Sequence, residues 1–165
     1  MIALLVAVLA MFAGTASESG VVLQIDAPRV VDTVTHFTVS FTVTNLGPDG
    51  VYFKQPWKWA TNGLYLQATD AAGKVYESST VLFDISTETR CTFFKALGAG
   101  DSFTFRESIG PPGHLPSLPL PGAGRYRLKW VYDVKHYDDE SACAVGGWPV
   151  WRGRATSPEI EIVVR

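Results

Sequence analysis

The sequence predicts an all-β fold, a two-sheet antiparallel sandwich of seven to nine short strands. First, apolar residues occupy every second position in residues 34–45 and 124–134, as in strands with one buried face. Second, 15 Gly and 10 Pro residues provide frequent turn signals along the 165 residues. Third, no stretch shows the period of an amphipathic helix. Short strands between regular turn signals are typical of a sandwich.

The length and charge of the chain limit its organisation and its partners. A chain of 165 residues suits one domain, which we place at residues 17–165. Its 14 basic and 16 acidic residues are mixed along the sequence and give a net charge of −2. Because no basic stripe is present to attract a phosphate backbone, nucleic acid is not an expected partner.

The N-terminus differs from the rest of the chain. Residues 2–14 form an apolar run, followed by small residues and then by polar residues from Ser17. The run is too short to span a bilayer and has the length of the apolar part of a signal peptide. We predict that residues 1–16 are a cleaved signal peptide, with an apolar first strand as the alternative. The mature chain is then periplasmic or extracellular and is not inserted in a membrane.

Strand candidates follow one another along the domain. Residues 64–69 and 74–77 are expected to form a hairpin across the turn at 70–73. A second hairpin is expected across 98–100, although residues 86–97 could instead form a short helix. Five prolines within 108–121 predict an irregular crossover. The strand candidates are residues 21–25, 34–45, 51–54, 64–69, 74–77, 81–83, 92–97, 101–106, 124–134 and 157–164.

The strand at 124–134 provides the most specific fold signal. Tyr126 follows the turn residue Gly124, as in the tyrosine corner of immunoglobulin-like sandwiches, in which the hydroxyl bonds back to the preceding loop. Trp130 alternates with other apolar residues and is expected in the core. The last strand should pair antiparallel with this one, because the outward basic residues of one match the outward acidic residues of the other. These charged residues are Arg127, Lys129, Glu159 and Glu161.

No motif in the sequence indicates catalysis. Nucleophile elbows, phosphate-binding Gly loops, Cys-x-x-Cys and His-Glu-x-x-His are all missing from it. His136 and the acids at 138–140 could contribute oxygen ligands to a hard cation, but their spacing matches no known loop. We therefore expect a non-enzymatic protein without a catalytic residue, a metal site or a cofactor.

The two cysteines, Cys91 and Cys143, are expected to form a disulfide. Exported chains with an even number of cysteines generally pair them. Two free thiols are the alternative, since sequence does not place the two Cα atoms within bridging range.

Long connections carry the candidate binding residues. The segment at 135–156 is far longer than a usual connection and includes Trp148, Trp151 and Arg152. Trp57 and Trp59 lie in a second loop-like segment. Exposed Trp and Arg often dominate interfaces, so we expect a protein partner, with a glycan as the alternative. The competing interpretation is that these rings cap the core.

Four turn motifs resemble those of one bacterial family. In their order and spacing they are similar to the immunoglobulin-like domain of the intracellular proteinase inhibitor (BsuPI) type, over about residues 34–130. The resemblance implies an immunoglobulin-like fold and, as an alternative function, proteinase inhibition through one of the long loops. The motifs are Thr42-Val-Thr-Asn45-Leu-Gly, Thr69-Asp70-Ala-Ala-Gly73-Lys, Leu97-Gly-Ala-Gly100-Asp-Ser and Pro121-Gly-Ala-Gly-Arg-Tyr126.

Overall fold

The computed structural model describes residues 20–32, 35–54, 64–78, 94–113, 116–134 and 147–165. These residues contain eleven strands and no helix, which confirms the all-β prediction. The strands are β1 (Val21–Asp26), β2 (Val30–Val31), β3 (Phe37–Asn45), β4 (Val51–Lys54), β5 (Leu64–Asp70), β6 (Val75–Glu77), β7 (Phe94–Leu97), β8 (Ser102–Ile109), β9 (Gly124–Val134), β10 (Gly153–Thr156) and β11 (Ile160–Val164).

Two sheets form the layers of the sandwich, and a third, smaller sheet adjoins them. One layer has the order β1-β3-β8, and the other has the order β2-β11-β9-β5-β6 with β10 also paired to β9. Strands β4 and β7 form a two-stranded sheet of their own. The described residues therefore hold more strands and sheets than predicted, since β2 and β10 form where no strand was predicted and β4 and β7 form a separate sheet. The strand predicted at 81–83 lies outside the described residues. One pair, β2 with β11, is parallel rather than antiparallel.

The core forms where the alternating faces of the two layers meet. Phe41 on β3 and Phe105 on β8 stack with ring centroids 5.0 Å apart. Trp130 on β9 meets Phe41 edge-on at 5.0 Å and Phe105 at 5.6 Å. Trp130 is fully buried, which confirms its predicted structural role. Each such aromatic pair contributes roughly 0.5–1.5 kcal/mol beyond its buried area.

The tyrosine corner is present at the start of β9. The Tyr126 hydroxyl donates a 2.9 Å hydrogen bond to the Gly122 carbonyl, and its ring is buried. Gly124 lies against this ring, and a Cβ there would lie 3.5 Å from Tyr126 Cε2, an ordinary van der Waals contact. This bond fixes the chain as it leaves the proline-rich crossover and enters the central strand.

The last strand pairs antiparallel with β9 as predicted. Ile162 lies opposite Tyr126, and Glu161 lies opposite Arg127. Glu159 contacts Arg127 at 3.2 Å and Lys129 at 3.6 Å. Glu161 instead bonds Arg125 at 2.8 Å. These exposed pairs help to set the register, but each stabilises the fold by less than about 1 kcal/mol.

Of the two predicted hairpins, the first forms and the second does not. β5 and β6 pair across the turn at 70–73, with Gly73 at φ 83°. Residues 94–97 are a strand, as favoured over a helix, but β7 pairs with β4 while β8 pairs with β3. The turn at 98–101 therefore connects two different sheets. Turn chemistry predicts that the chain reverses, but the hydrogen-bond partner of each strand depends on distant residues.

Candidate functional site

Three connections lie together at the end of the sandwich where β3 finishes. We call this region the loop end, defined as residues 46–50 after β3, 98–101 after β7 and 147–152 before β10. The described hydrogen bonds join 46–50 to 98–101, and ring contacts join 147–152 to both.

Asn45 holds the first two connections together. Its buried side-chain amide donates to the carbonyls of Asp49 at 2.8 Å, Leu97 at 3.1 Å and Gly98 at 3.2 Å, while its Oδ1 accepts from the Gly47 amide at 3.0 Å. Its backbone bonds to residues 100 and 101. One side chain thus satisfies four backbone groups, which fixes the shape of the loops.

The turn at 98–101 has its own support. The Asp101 carboxylate accepts a 2.8 Å bond from the Gly98 amide, and the Asp101 amide donates to the Gly98 carbonyl at 3.1 Å. Gly100 has φ 82°, a conformation that glycine adopts without strain. Hydrogen bonds between Gly98 and Asp101 therefore hold this turn in one backbone conformation.

Residues 147–152, which we call the strap, lie alongside β4. The Tyr52 amide donates to the Pro149 carbonyl at 2.9 Å, and the Trp151 amide donates to the Tyr52 carbonyl at 2.8 Å. Tyr52 and Val150 form a parallel β-bridge. The strap therefore adds a short edge to the small sheet, and this pairing determines which way its side chains point.

Trp148 lies on the surface of the loop end. Its side chain is 39% exposed, and its indole covers Gly50 so closely that a Cβ there would lie 2.6 Å from Cζ2. The Tyr52 ring is 6.1 Å away between centroids, and Cη2 lies 3.9 Å from a Cβ built on Gly98. The indole is thus held in place by glycine backbone and one aromatic ring while part of it faces water.

The position of Trp151 differs from the position that the predicted binding role requires. A binding role needs an exposed ring, yet Trp151 is only 4% exposed. It stacks on Tyr132 with centroids 5.5 Å apart and contacts Phe53 at 5.7 Å. The alternation of the strap sends Trp148 outward and Trp151 inward, so the core-capping interpretation holds for Trp151. The neighbouring Arg152 is exposed.

The strap and β10 also shorten the predicted excursion. Residues 153–156, which the sequence assigned to a loop, pair antiparallel with the end of β9 as β10. Gly153, at φ 145°, begins this strand. The remaining sequence-based candidates lie outside the described residues. They are Trp57, Trp59, Cys91, Cys143, the acids at 138–140 and the predicted signal peptide at 1–16.

Ionisable groups with altered pKa values lie away from the loop end, beside Tyr126. The backbone amide of Lys74 is the main cause that lowers the pKa of Asp70, and the Tyr76 hydroxyl adds to it. Burial, followed by the hydrogen bond to Asp70, raises the pKa of Tyr76. Asp70 also accepts from the Ala72 amide, so this cluster closes the β5–β6 turn. These hydrogen bonds give the Asp70 cluster a structural role in the turn.

The described residues include no group of three or more His, Cys, Asp or Glu side chains arranged to hold a metal ion. None of the described ranges forms an apolar helix of the length that a bilayer span requires. The geometry of the loop end thus consists of rigid loops around one outward-facing indole.

The sequence names Trp148 as a binding candidate, but it does not indicate the residues that position the ring. Asn45 and Gly50 were recognised only as parts of a turn, and Tyr52 only as part of a strand. An Asn that ends an alternating strand and precedes Leu-Gly-Pro-Asp-Gly is a signal for a buried loop-organising amide. Nothing local to Gly50 indicates that a residue almost 100 positions later will cover it.

Of the comparisons with known proteins, only the one with solved structures found matches. No protein-family model matches the chain, and no curated protein matches it, so the resemblance to the BsuPI family gains no support. The CARDB domain of PF1109 from Pyrococcus furiosus, an immunoglobulin-like β-sandwich, is 17% identical with a TM-score of 0.39. Its solution structure aligns over 88% of this chain and 94% of that chain.

Two further structures show similar values. The crystal structure of the same CARDB domain in complex with di-metal ions is 17% identical with a TM-score of 0.39, over 88% of this chain and 87% of that chain. A mutant (D270A) β-glucosidase from Listeria innocua in complex with laminaribiose is 12% identical with a TM-score of 0.42. That match covers 90% of this chain and 16% of the glucosidase.

Proposed function

We propose that this chain is an exported, non-enzymatic immunoglobulin-like module that binds a protein partner through its loop end. The observation that carries the proposal is the position of Trp148, a residue that is 39% exposed on a strap hydrogen-bonded to β4. Trp is among the residues that most often dominate the binding energy of an interface.

The rigidity of the loop end supports a binding role for Trp148. Ordering a flexible side chain and loop during association opposes binding, by roughly 0.5–1.5 kcal/mol for each immobilised side chain. Here Gly50 and Tyr52 already restrict the indole, and the Asn45 amide already fixes the adjoining connection. Folding of the chain therefore already orders these groups, and less ordering remains to oppose association with a partner.

The surroundings of Trp148 favour a protein over a glycan. Sugar hydroxyls need several polar side chains near the stacking ring. The described groups against this indole include two glycines and Tyr52, which supply little polar side-chain surface. Leu46, in the connection that Gly50 ends, is 64% exposed and adds apolar surface to the loop end. An aromatic and an aliphatic side chain on firm loops suit the apolar centre of a protein interface.

Export rests on the sequence of residues 1–16 and is part of the proposal. Mass spectrometry of the protein recovered outside the cytoplasm is expected to show a chain beginning near Ser17. Recovery of the uncleaved chain in the cytoplasm alone would contradict this part without affecting the binding surface.

Partner capture with matched variants tests the binding proposal. Wild-type protein, Trp148→Ala and Val75→Ala are immobilised and exposed to proteins from the medium surrounding the producing cells. Val75 is a suitable control because it is 49% exposed and lies on the β5–β6 hairpin. We expect wild type and Val75→Ala to retain the same protein, and Trp148→Ala to bind it at least about tenfold more weakly.

Two parallel assays distinguish the alternatives. Quenching of Trp fluorescence by a member of a glycan series, lost in Trp148→Ala, would replace the protein partner with a sugar. Inhibition of an enzyme in a protease panel would favour the function implied by the BsuPI resemblance. Equal retention of the captured protein by wild type and Trp148→Ala would contradict the proposed site.

A further inference from the structure

Strand β1 is an edge strand, and part of its edge is open. Within the described ranges, β1 pairs with β3 alone. An unprotected edge of this kind offers backbone donors and acceptors to another strand, and proteins usually block it with Lys, Pro or a bulge. The six residues of β1, Val-Val-Leu-Gln-Ile-Asp, contain no Lys and no Pro.

The hydrogen-bond pattern shows which residues face this edge. Backbone groups along an antiparallel strand alternate between its two neighbours. Asn45 bonds through its backbone to the β8 side, whereas the next residue, Leu46, bonds to Gly20 on the β1 side. Every second residue of β1 after Gly20 therefore bonds to β3, and these residues include Gln24 and Asp26. The backbone N–H and C=O of Ile25, which lies between them, point towards the open edge.

A groove runs along the same part of the edge. It has a volume of about 350 Å³ and is lined by Gln24, Ile25, Asp26, Thr42, Pro158 and Ile160. Three consecutive β1 residues and Thr42 of β3 therefore form one side, while Pro158, in the link after β10, and Ile160, at the start of β11, form the other. The groove gives an incoming strand room beside Ile25.

We propose that the occupant is β1 of a second copy of this chain, paired antiparallel about a two-fold axis at Ile25. In this register Ile25 lies opposite the same residue of the second copy, and their outward N–H and C=O groups form two hydrogen bonds. Gln24 then lies opposite Asp26 of the second copy, and the symmetry repeats this pair. The result is a continuous sheet across two sandwiches.

Self-complementarity is the reason for choosing a second copy. Gln24 and Asp26 project from the same outward face of β1, and an amide can donate directly to an opposing carboxylate. The two Asp26 carboxylates do not lie opposite one another in this register. Within one sandwich, Gln24 lies opposite Thr42 and Asp26 lies opposite Ser40. Because Thr42 and Ser40 are uncharged, the side chains of Gln24 and Asp26 remain available to the second copy.

The small size of the contact sets its strength. Stable interfaces usually bury 1,200 Å² or more, and a contact centred on three residues is smaller than that. The dimer is therefore weak and concentration-dependent, with a dissociation constant of about 10 μM to 1 mM.

Sedimentation equilibrium from about 10 μM to 1 mM tests the proposal with two variants of one position. The samples contain the protein as purified from the producing cell, including any processing of its N-terminus. Gln24→Lys places an ammonium opposite Asp26 of the second copy, whereas Gln24→Glu places a carboxylate there. Because symmetry doubles each pair, we expect dimerisation to strengthen about 2- to 30-fold in Gln24→Lys and to weaken by a similar factor in Gln24→Glu.

The double variant Gln24→Glu with Asp26→Lys restores opposite charges and should recover dimerisation. Unchanged circular dichroism and melting temperature confirm that each variant is folded. A wild-type chain that remains monomeric throughout, or two Gln24 variants that shift association in the same direction, would overturn the proposal. Protection of the Ile25 amide from exchange only when an extended peptide is added would overturn it in favour of a different occupant.

Discussion

Asn45 and Gly50 position the candidate site without belonging to its exposed surface. The Asn45 amide satisfies carbonyls from two connections, and Gly50 leaves the space into which the Trp148 indole fits. A larger residue at position 50 would occupy the same space as the ring. The orientation of the exposed Trp148 indole thus depends on the Asn45 amide and on the lack of a side chain at Gly50.

Gly50→Ala tests this fit. The added Cβ would overlap the indole, so we expect Trp148 to move outward, its fluorescence emission to shift to longer wavelength, and the free energy of unfolding to fall by about 1–3 kcal/mol. Gly122→Ala is the matched control, because a Cβ there meets no atom within 4 Å. Equal emission spectra and equal stabilities for the two variants would show that Gly50 does not position the ring.

Tyr126→Phe tests the tyrosine corner. Loss of the 2.9 Å bond to the Gly122 carbonyl should lower the free energy of unfolding by about 0.5–1.5 kcal/mol, with no change in partner binding. Tyr65→Phe serves as control, since the Tyr65 hydroxyl makes no hydrogen bond within the described ranges. A denaturation midpoint that stays at the wild-type value in Tyr126→Phe would count against the corner.

At the scale of elements, we predict that the turn of the β5–β6 hairpin is sensitive to pH. Hydrogen bonds hold the pKa of Asp70 below its ordinary value in the folded state. A lowered folded pKa stabilises the fold above the unfolded pKa, and this stabilisation is lost as the pH falls through the folded pKa. The turn should therefore loosen in acid, below about pH 4.

Asp70→Asn provides the matched variant. The Asn Oδ1 can still accept from the amides of Ala72 and Lys74, but it does not titrate. In NMR titrations from neutral pH to about pH 2, the wild-type Lys74 amide should shift with a midpoint below that of unfolded Asp, and the variant should show no such shift. A wild-type midpoint above the ordinary Asp range would reverse the predicted sign.

Local pattern predicted the elements better than it predicted their partners. The period of two located β3, β9 and β11, because burial of one face imposes that period directly. Charges on both strands predicted the β9–β11 pairing. No local feature distinguished the turn at 70–73, which joins paired strands, from that at 98–101, which joins two sheets. That difference arises from contacts with β3 and β4, which are distant in sequence.

At the scale of the whole molecule, two Trp residues three positions apart have different roles. Trp151 extends the aromatic core through Tyr132 and Phe53, while Trp148 faces water over Gly50. The sequence grouped both as binding residues because loop composition does not reveal which way each ring points. The β-bridge between Val150 and Tyr52 determines it. The proposed function depends on this division between surface and core.

Equilibrium unfolding of Trp148→Ala, Trp151→Ala and Trp130→Ala tests that division most directly. We predict that Trp151→Ala and Trp130→Ala each lower the free energy of unfolding by about 3–5 kcal/mol, because they leave cavities in the core. Trp148→Ala should lower it by less than half as much, since its ring is partly exposed and packs on one side only. If Trp148→Ala destabilises the protein as strongly as Trp151→Ala does, Trp148 belongs to the core and the proposed binding surface is contradicted.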